Sequence, residues 1–173
     1  MSAGKVMLVL FGVLVLIVVL TKPDDGGILA TARTDGVAFV SDDDPTMLAA
    51  FAKARAGLDD FLAIAATPSP STESFAVKVA VSDRGRKEYF WIDSFVQHGN
   101  SFSGRVNNTP QVVSNVIEGQ EIQFRKSEIV DWTYTDSQRR KAHGNFTACA
   151  LLAHQSKHDA ANFMAEYGLD CDT

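Results

Sequence analysis

The sequence predicts an α+β fold: an N-terminal amphipathic helix, a mainly antiparallel curved sheet of about six strands with a short inserted helix, and a C-terminal helix. Three observations predict it. Apolar residues recur every three or four positions from Met47 to Ala65, the apolar period changes to two from Ser74, and a capped amphipathic segment returns after Ser156.

The elements follow in chain order. Lys5 precedes fifteen apolar or Gly positions, Val6 to Leu20. A charged start and an apolar run are two marks of a secretory signal. The third, a small-residue cleavage site, is displaced to Ala30-Thr31-Ala32, and Lys22-Pro23 stands where a peptidase needs small residues. Residues 1–22 are therefore expected to form a signal anchor that meets the membrane through residues 6–20, with a cleaved signal peptide as the alternative. A spanning helix needs about 17 to 25 residues, so this one must snorkel its Lys or thin the bilayer. Such a short amino-terminal tail stays inside, which puts the rest outside the cytoplasm, anchored, or free in the periplasm if the leader is cut. Residues 23–40, rich in Gly, Asp and Thr, read as a tether with a short strand at 37–40, and residues 41–173 as one globular α+β domain.

Asp44 and Pro45 supply a helix start, and Met47, Phe51, Ala54, Leu58, Phe61, Leu62 and Ala65 an apolar stripe that ends at "TPSPST". "SFAVKVAVS" alternates, "DRGR" turns, and "KEYFWIDSFV" is apolar on both faces, so a hairpin with a central second strand is predicted. "SFSGRVN" follows as a third strand. Thr109 then fits a helix cap, Pro110 the first helical position and Gly119 a stop, which gives the inserted helix. "QEIQFRK" and "EIVDWTYT" read as strands four and five, "DSQRRKAHG" as a basic loop, and "NFTACALL" as a buried sixth strand. Ser156 with Asp159 caps the last helix, striped by Ala160, Phe163, Met164 and Tyr167, and Gly168 stops it.

Residues from about 41 to 152 resemble the YegJ-like family of bacterial domains of unknown function. The marks that carry the likeness are "DDDPTM", "FAVKV" followed by "EYFWI", then "FSGRVNNTP", "GQEIQF", "EIVDW" and "GNFTACALL". The family commonly has Asn-Glu-Pro after the third strand where this chain has Asn-Thr-Pro, so an acid at Thr109 is lost. The resemblance implies a small bacterial protein, often exported or membrane-tethered, and implies no activity.

Composition narrows the chemistry. A net charge of minus five, or minus seven once Lys5 and Lys22 of the leader are removed, argues against a nucleic-acid partner. There is no Gly-rich phosphate loop, no G-x-S-x-G and no C-x-x-C, so no cofactor is expected. His154 and His158 share the spacing of two metal ligands without a third, and no metal is expected. Cys149 and Cys171 could pair outside the cytoplasm, or remain a buried thiol and a tail thiol. The run Arg139, Arg140, Lys141 and His143 reads as a solvated loop, with an anion or lipid contact as the lesser reading. Asp93 and Asp131 are the acids that could serve a hydrolase, which needs two carboxylates about 5 to 10 Å apart. Asn107, Asn108 and Trp132 are the candidate recognition residues. The expectation is a non-enzymatic envelope binding domain, immunity-like in one concrete form, that meets an unknown protein or envelope component; an envelope hydrolase is the alternative.

Overall fold

The computed structural model describes residues 18–19 and 42–171. Apart from Val18 and Val19, the expected leader and tether lie outside the described residues. Val18–Val19 forms a two-residue strand, β1, antiparallel to Lys87 and Glu88. Among the described residues no helix is long and apolar enough to cross a membrane.

Helix α1 (Pro45–Ala66) begins where the sequence places it: Asp44 accepts from the Thr46 and Met47 amides at 2.8 and 3.3 Å, and Pro45 needs no partner for a missing N–H. Six longer strands follow: β2 (Thr72–Asp83), β3 (Arg86–His98), β4 (Ser101–Val106), β5 (Glu121–Arg125), β6 (Ile129–Asp136) and β7 (Lys141–Gly144). They pair antiparallel in the order β5-β4-β3-β2-β6-β7. Helices α2 (Phe146–Leu152) and α3 (Lys157–Tyr167) close the chain, the latter capped by Ser156 and stopped at Gly168 with φ 65°.

Sheet curvature has local causes. The register slips between Glu73 and Ala76 on β2 and between Asp93 and Val96 on β3, and the serines inside these slips, Ser74 and Ser94, have φ of 58° and 49°. Each slip is a bulge, which bends its strand and strengthens the twist. Gly104 sits opposite the second one. A Cβ there would stand 2.6 Å from Ile92 Cγ2, so only glycine lets β4 follow the bend.

The alternation of the strands divides the interior in two. On one face, which we call the sealed face, Leu58, Phe61 and Leu62 of α1 pack with Val77, Val79, Phe90, Ile92, Phe102, Phe124 and Ile129. Burying side chains of this size contributes about 1.5–3 kcal/mol each. The N-terminal half of α1, through Met47, Ala50 and Phe51, joins Tyr89, Val130, Ala150 and Leu151 in a second cluster. Tyr89 and Phe90 are successive on β3, so one helix supplies side chains to the cores on both faces.

Two expected elements take other forms. Residues 145–152, expected as a strand, are α2: Asn145 turns with φ 55°, and the Asp131 carboxyl accepts from the amides of Phe146 and Thr147, which a strand would offer to a neighbour. Residues 110–118, expected as a helix, are irregular. The buried Glu88 carboxyl accepts from the amides of Gln111, Val112 and Val113, while the Thr109 hydroxyl bonds Glu118 instead of capping. The short helix between the sheet and α3 therefore lies at 146–152, and the basic loop contains β7.

Candidate functional site

On the face opposite Phe90 and Ile92, α2 lies over β6, and the side chains of β3, β4 and β5 beyond it reach solvent. Trp91 and Asp93 are half-buried, Val96 is 53% exposed, and Arg105, Glu121, Gln123 and Arg125 are exposed. Pairing aligns them: Asp93 faces Arg105, Val96 faces Ser103, and Ser103 faces Gln123. This open face carries two apolar side chains on β3, Trp91 and Val96, with Asp93 between them and polar residues on β4 and β5. The Arg105 Nε–Asp93 Oδ1 ion pair, 3.0 Å long, ties two of these polar groups together.

Beneath Trp91 lies a buried charged group. Lys78 of β2 pairs across the sheet with Trp91 on one side and Asp131 on the other, and it is only 1% exposed. Its Nζ sits 4.4 Å from the Trp91 ring centroid and donates to Thr147 Oγ1 at 2.6 Å. Thr147 in turn donates to Asp131 Oδ2 at 2.6 Å. The carboxyl also accepts from the amides of Trp132, Phe146 and Thr147, at 2.8, 3.2 and 2.9 Å. Burial pushes the Lys78 ammonium down to about 8, with Asp131 opposing the shift. Burial pushes the Asp131 carboxyl up, while Lys78, the Thr147 hydroxyl and the amides of Thr147 and Trp132 pull it back.

These partners explain the local fold. Asn145 offers α2 no side-chain cap, because its amide group donates to Thr133 Oγ1 at 2.6 Å. The Asp131 carboxyl takes the capping role from a neighbouring strand. In this arrangement Lys78, Thr147 and Asp131 are closed to solutes. What they do is hold one half-exposed indole in place from below, by a cation against its ring.

The residues singled out from the sequence are spread over the molecule. Asp93 and Asp131 stand on different strands with separate partners, Arg105 for one and Lys78 with α2 for the other. Asn108 is buried, and its side-chain oxygen accepts from the Trp91 amide at 2.9 Å; the Asn107 amide donates to the Trp91 carbonyl at 2.9 Å. Both Asn residues thus continue the edge of β3 past the end of β4. Trp132 points to the sealed face, stacked on Phe61 at 4.9 Å with its Nε1 donating to the Ala54 carbonyl. His154 contacts Thr46 Oγ1 at 3.2 Å and His158 contacts Asn162 at 3.1 Å, so different groups hold the two rings. Among the described residues no group of three metal-ligating side chains forms. Cys149 and Cys171 are joined, with Cα atoms 5.4 Å apart. In the basic run Arg139 pairs with Asp136, Lys141 with Asp170, and His143 stacks on Tyr134.

Lys78 and Trp91 were not singled out from the sequence, although a signal was present. Lys78 is the one charged residue inside "FAVKVAV", on a strand whose neighbours predict cover on both sides, and such a charge needs a partner.

The known proteins that the chain resembles are themselves uncharacterized. No solved structure is significantly similar. The chain is 34% identical over 140 residues, 77% of its length and 89% of the relative's, to the uncharacterized protein YegJ of Escherichia coli (strain K12). A family model described as an uncharacterized protein conserved in bacteria (DUF2314) matches residues 44–171, which span α1 to the disulfide. The chain belongs to that bacterial family.

Proposed function

We propose that the chain is a membrane-tethered or exported binding domain, without an activity of its own, whose open face on β3, β4 and β5 receives a protein partner in the cell envelope. The observation that carries this reading is Trp91: a half-exposed indole, fixed from beneath by Lys78, on the same face of β3 as the exposed Val96. A rigid aromatic anchor with a polar margin is the usual centre of a protein interface, because it buries much area and loses little side-chain freedom on binding. An inhibitor that blocks a toxin is one concrete form. The separate confinement of Asp93 and Asp131 favours this reading over a carboxylate-pair hydrolase, whose acids must converge on one cleft.

The envelope address is supported by two features. The apolar run of residues 6–20, of which Val18 and Val19 pair with β3, has the composition of a signal anchor, and the Cys149–Cys171 bridge suits an oxidising compartment. Fractionation with a protease-accessibility test checks the address: digestion of the domain in intact spheroplasts is expected, and its protection there rules the proposed orientation out. For the face, a photo-cross-linking residue in place of Gln123, on the full chain in cells, is expected to give a discrete adduct. The same residue in place of Ser69, exposed at the far end of α1, is the control. Equal adducts at both positions, or none at Gln123, would remove the open face as the interface.

A further inference from the structure

The two edges of the sheet differ. At β7 the Ala142 amide donates to the Gly168 carbonyl at 2.9 Å, and Leu169 runs beside Ala142 in a segment held by the disulfide. The length of β3 that β4 leaves uncovered is met by Val18–Val19 and by Asn107 and Asn108. At β5, among the described residues, no strand pairs with the outer side. We propose that β5 pairs antiparallel with β5 of a second copy of this chain, about a two-fold axis at Gln123, so that the two sheets continue as one.

Backbone direction and charge order carry the argument. The Gln120 carbonyl accepts from the Val106 amide at 2.9 Å and the Lys126 amide donates to the Asn100 carbonyl at 3.4 Å, so at both ends of β5 the even-numbered backbone groups face β4. The register between these ends is unbroken and successive residues point opposite ways, so the backbone of Glu121, Gln123 and Arg125 faces outward. Of these outward groups the Arg125 amide is taken, by the Glu128 carboxyl at 2.6 Å. The Glu121 and Gln123 amides and the carbonyls of all three residues have no partner among the described residues. A row of unpaired groups is a template for another strand, and edges that stay apart carry a central Lys, a Pro or a bulge. The strand "EIQFR" has none of these. Its only charges stand at its two ends with opposite signs. In the two-fold register each Glu121 faces Arg125 of the other copy, each Ile122 faces Phe124, and Gln123 faces its own counterpart. Opposite charges across a strand pair stabilise it and like charges oppose it. A slip by two residues loses both charge pairs and shortens the ladder. In register, the two Gln123 exchange both backbone bonds, and each Glu121 amide donates to the Arg125 carbonyl of the other copy. The side chains are available for this. Glu121 has no ion pair among the described residues, and Arg125 gives Glu128 one nitrogen, Nη2, at 3.4 Å in an exposed pair. A patch that matches itself in this way closes at two copies. An unrelated strand would find the same backbone row without the matched ends.

The pairing is independent of the partner on the open face: two copies would give a position-123 adduct of twice the chain's mass, and that partner an adduct of another mass. One short strand on each side makes a small contact, so weak association is expected, read by sedimentation equilibrium of the full-length chain in density-matched detergent micelles up to about 0.5 mM. A monomer–dimer equilibrium is expected. Gln123→Pro, which removes an outward N–H and no bond to β4, should abolish it. Glu121→Arg and Arg125→Glu should each weaken it by about tenfold or more, because each sets like charges opposite one another at both ends of the strand pair. An equimolar mixture of these two variants should associate as tightly as the parent, since opposite charges then meet at both ends. Thermal melts of the three variants check that the fold is retained, and the two charge variants with their mixture decide the matter if the proline variant fails to fold. A parent chain that stays monomeric across this range, a dimer that persists in a folded Gln123→Pro, or a mixture no tighter than either charge variant alone would each overturn the proposal.

Discussion

On the sealed face, Phe61 is ringed by Phe75, Phe95, Trp132 and Tyr134 with centroids 4.9–6.3 Å away, and none of these contacts involves a charge. On the opposite face, a lysine, a threonine and an aspartate are buried as completely as any phenylalanine, and beside them the sheet is open. The first arrangement loses stability in proportion to the volume removed. The second depends on every partner being present, because an isolated charge in the interior costs far more than a missing methyl group. Stability is therefore graded around Phe61 and conditional around Lys78 and Asp131, and the side that holds the latter pair carries the proposed interface.

Several measurements can break or sharpen that contrast. The largest effect is expected for Asp131→Ala, which leaves Lys78 without its counter-charge and α2 without its cap: a loss of about 3–5 kcal/mol in urea denaturation. Phe61→Ala should cost a similar amount, about 3–5 kcal/mol, through its cavity alone. The contrast lies in the rescue. Adding Lys78→Met to Asp131→Ala should restore part of the loss, and simple addition of the two costs would show that the pair is not coupled.

The pH dependence separates the faces next. Lys78 titrates near 10.5 when unfolded and near 8 when folded, so between these values the unfolded chain binds the extra proton. Stability should therefore rise with pH across that window, by about 3 kcal/mol in all if the shift is fully expressed. The rise is best read below pH 10, before the Tyr89 hydroxyl begins to oppose it; burial, with Asp42 nearby, pushes that group up. Phe61→Ala should keep the rise and Lys78→Met should lose it. A rise that persists in Lys78→Met would assign it to other groups.

Replacing Cys149 and Cys171 together by Ala should cost about 3 kcal/mol, since the bridge closes a loop across a separation of 22 residues. A smaller loss, about 1–2 kcal/mol, is expected for Trp91→Ala, which removes a half-buried ring and its contact with the lysine. The smallest is for Val96→Ser, within about 0.5 kcal/mol. Both of these last variants should abolish the adduct formed from position 123. Its survival in both would separate the open face from the partner.

Much of the sealed face was legible in the sequence. The stripe on α1, its Asp44-Pro45 start and the alternation of β2 and β3 follow from local periodicity and capping, and tertiary contacts only reinforce them. The rest was less legible because its structure turns on side chains that act across long separations. "NFTACALL" carries no period that distinguishes a buried strand from a short helix, and what decides is a carboxyl 16 residues earlier, Asp131, accepting the Thr147 amide. "PQVVSNVIE" has good start and stop residues for a helix. Its first amides are instead claimed by Glu88, 23 to 25 residues earlier, and the segment lies along the sheet with Val113 and Val116 in the core. The acids considered for hydrolysis were judged by neighbours in sequence. The Arg105 that holds Asp93 and the α2 amides that hold Asp131 are neighbours only in space.

The covalent closure near the carboxyl end has a practical consequence. Helix α3 has no buried residue and lies between Cys149 and Cys171. A peptidase that cuts within it would produce two fragments still fastened together, because one retains Cys149 and the other Cys171. Such clipped molecules would run with intact ones on a denaturing gel until a thiol reagent is added. The protein recovered from a protease-rich extract can thus be nicked and still keep its sheet, its α2 cap and its indole in place.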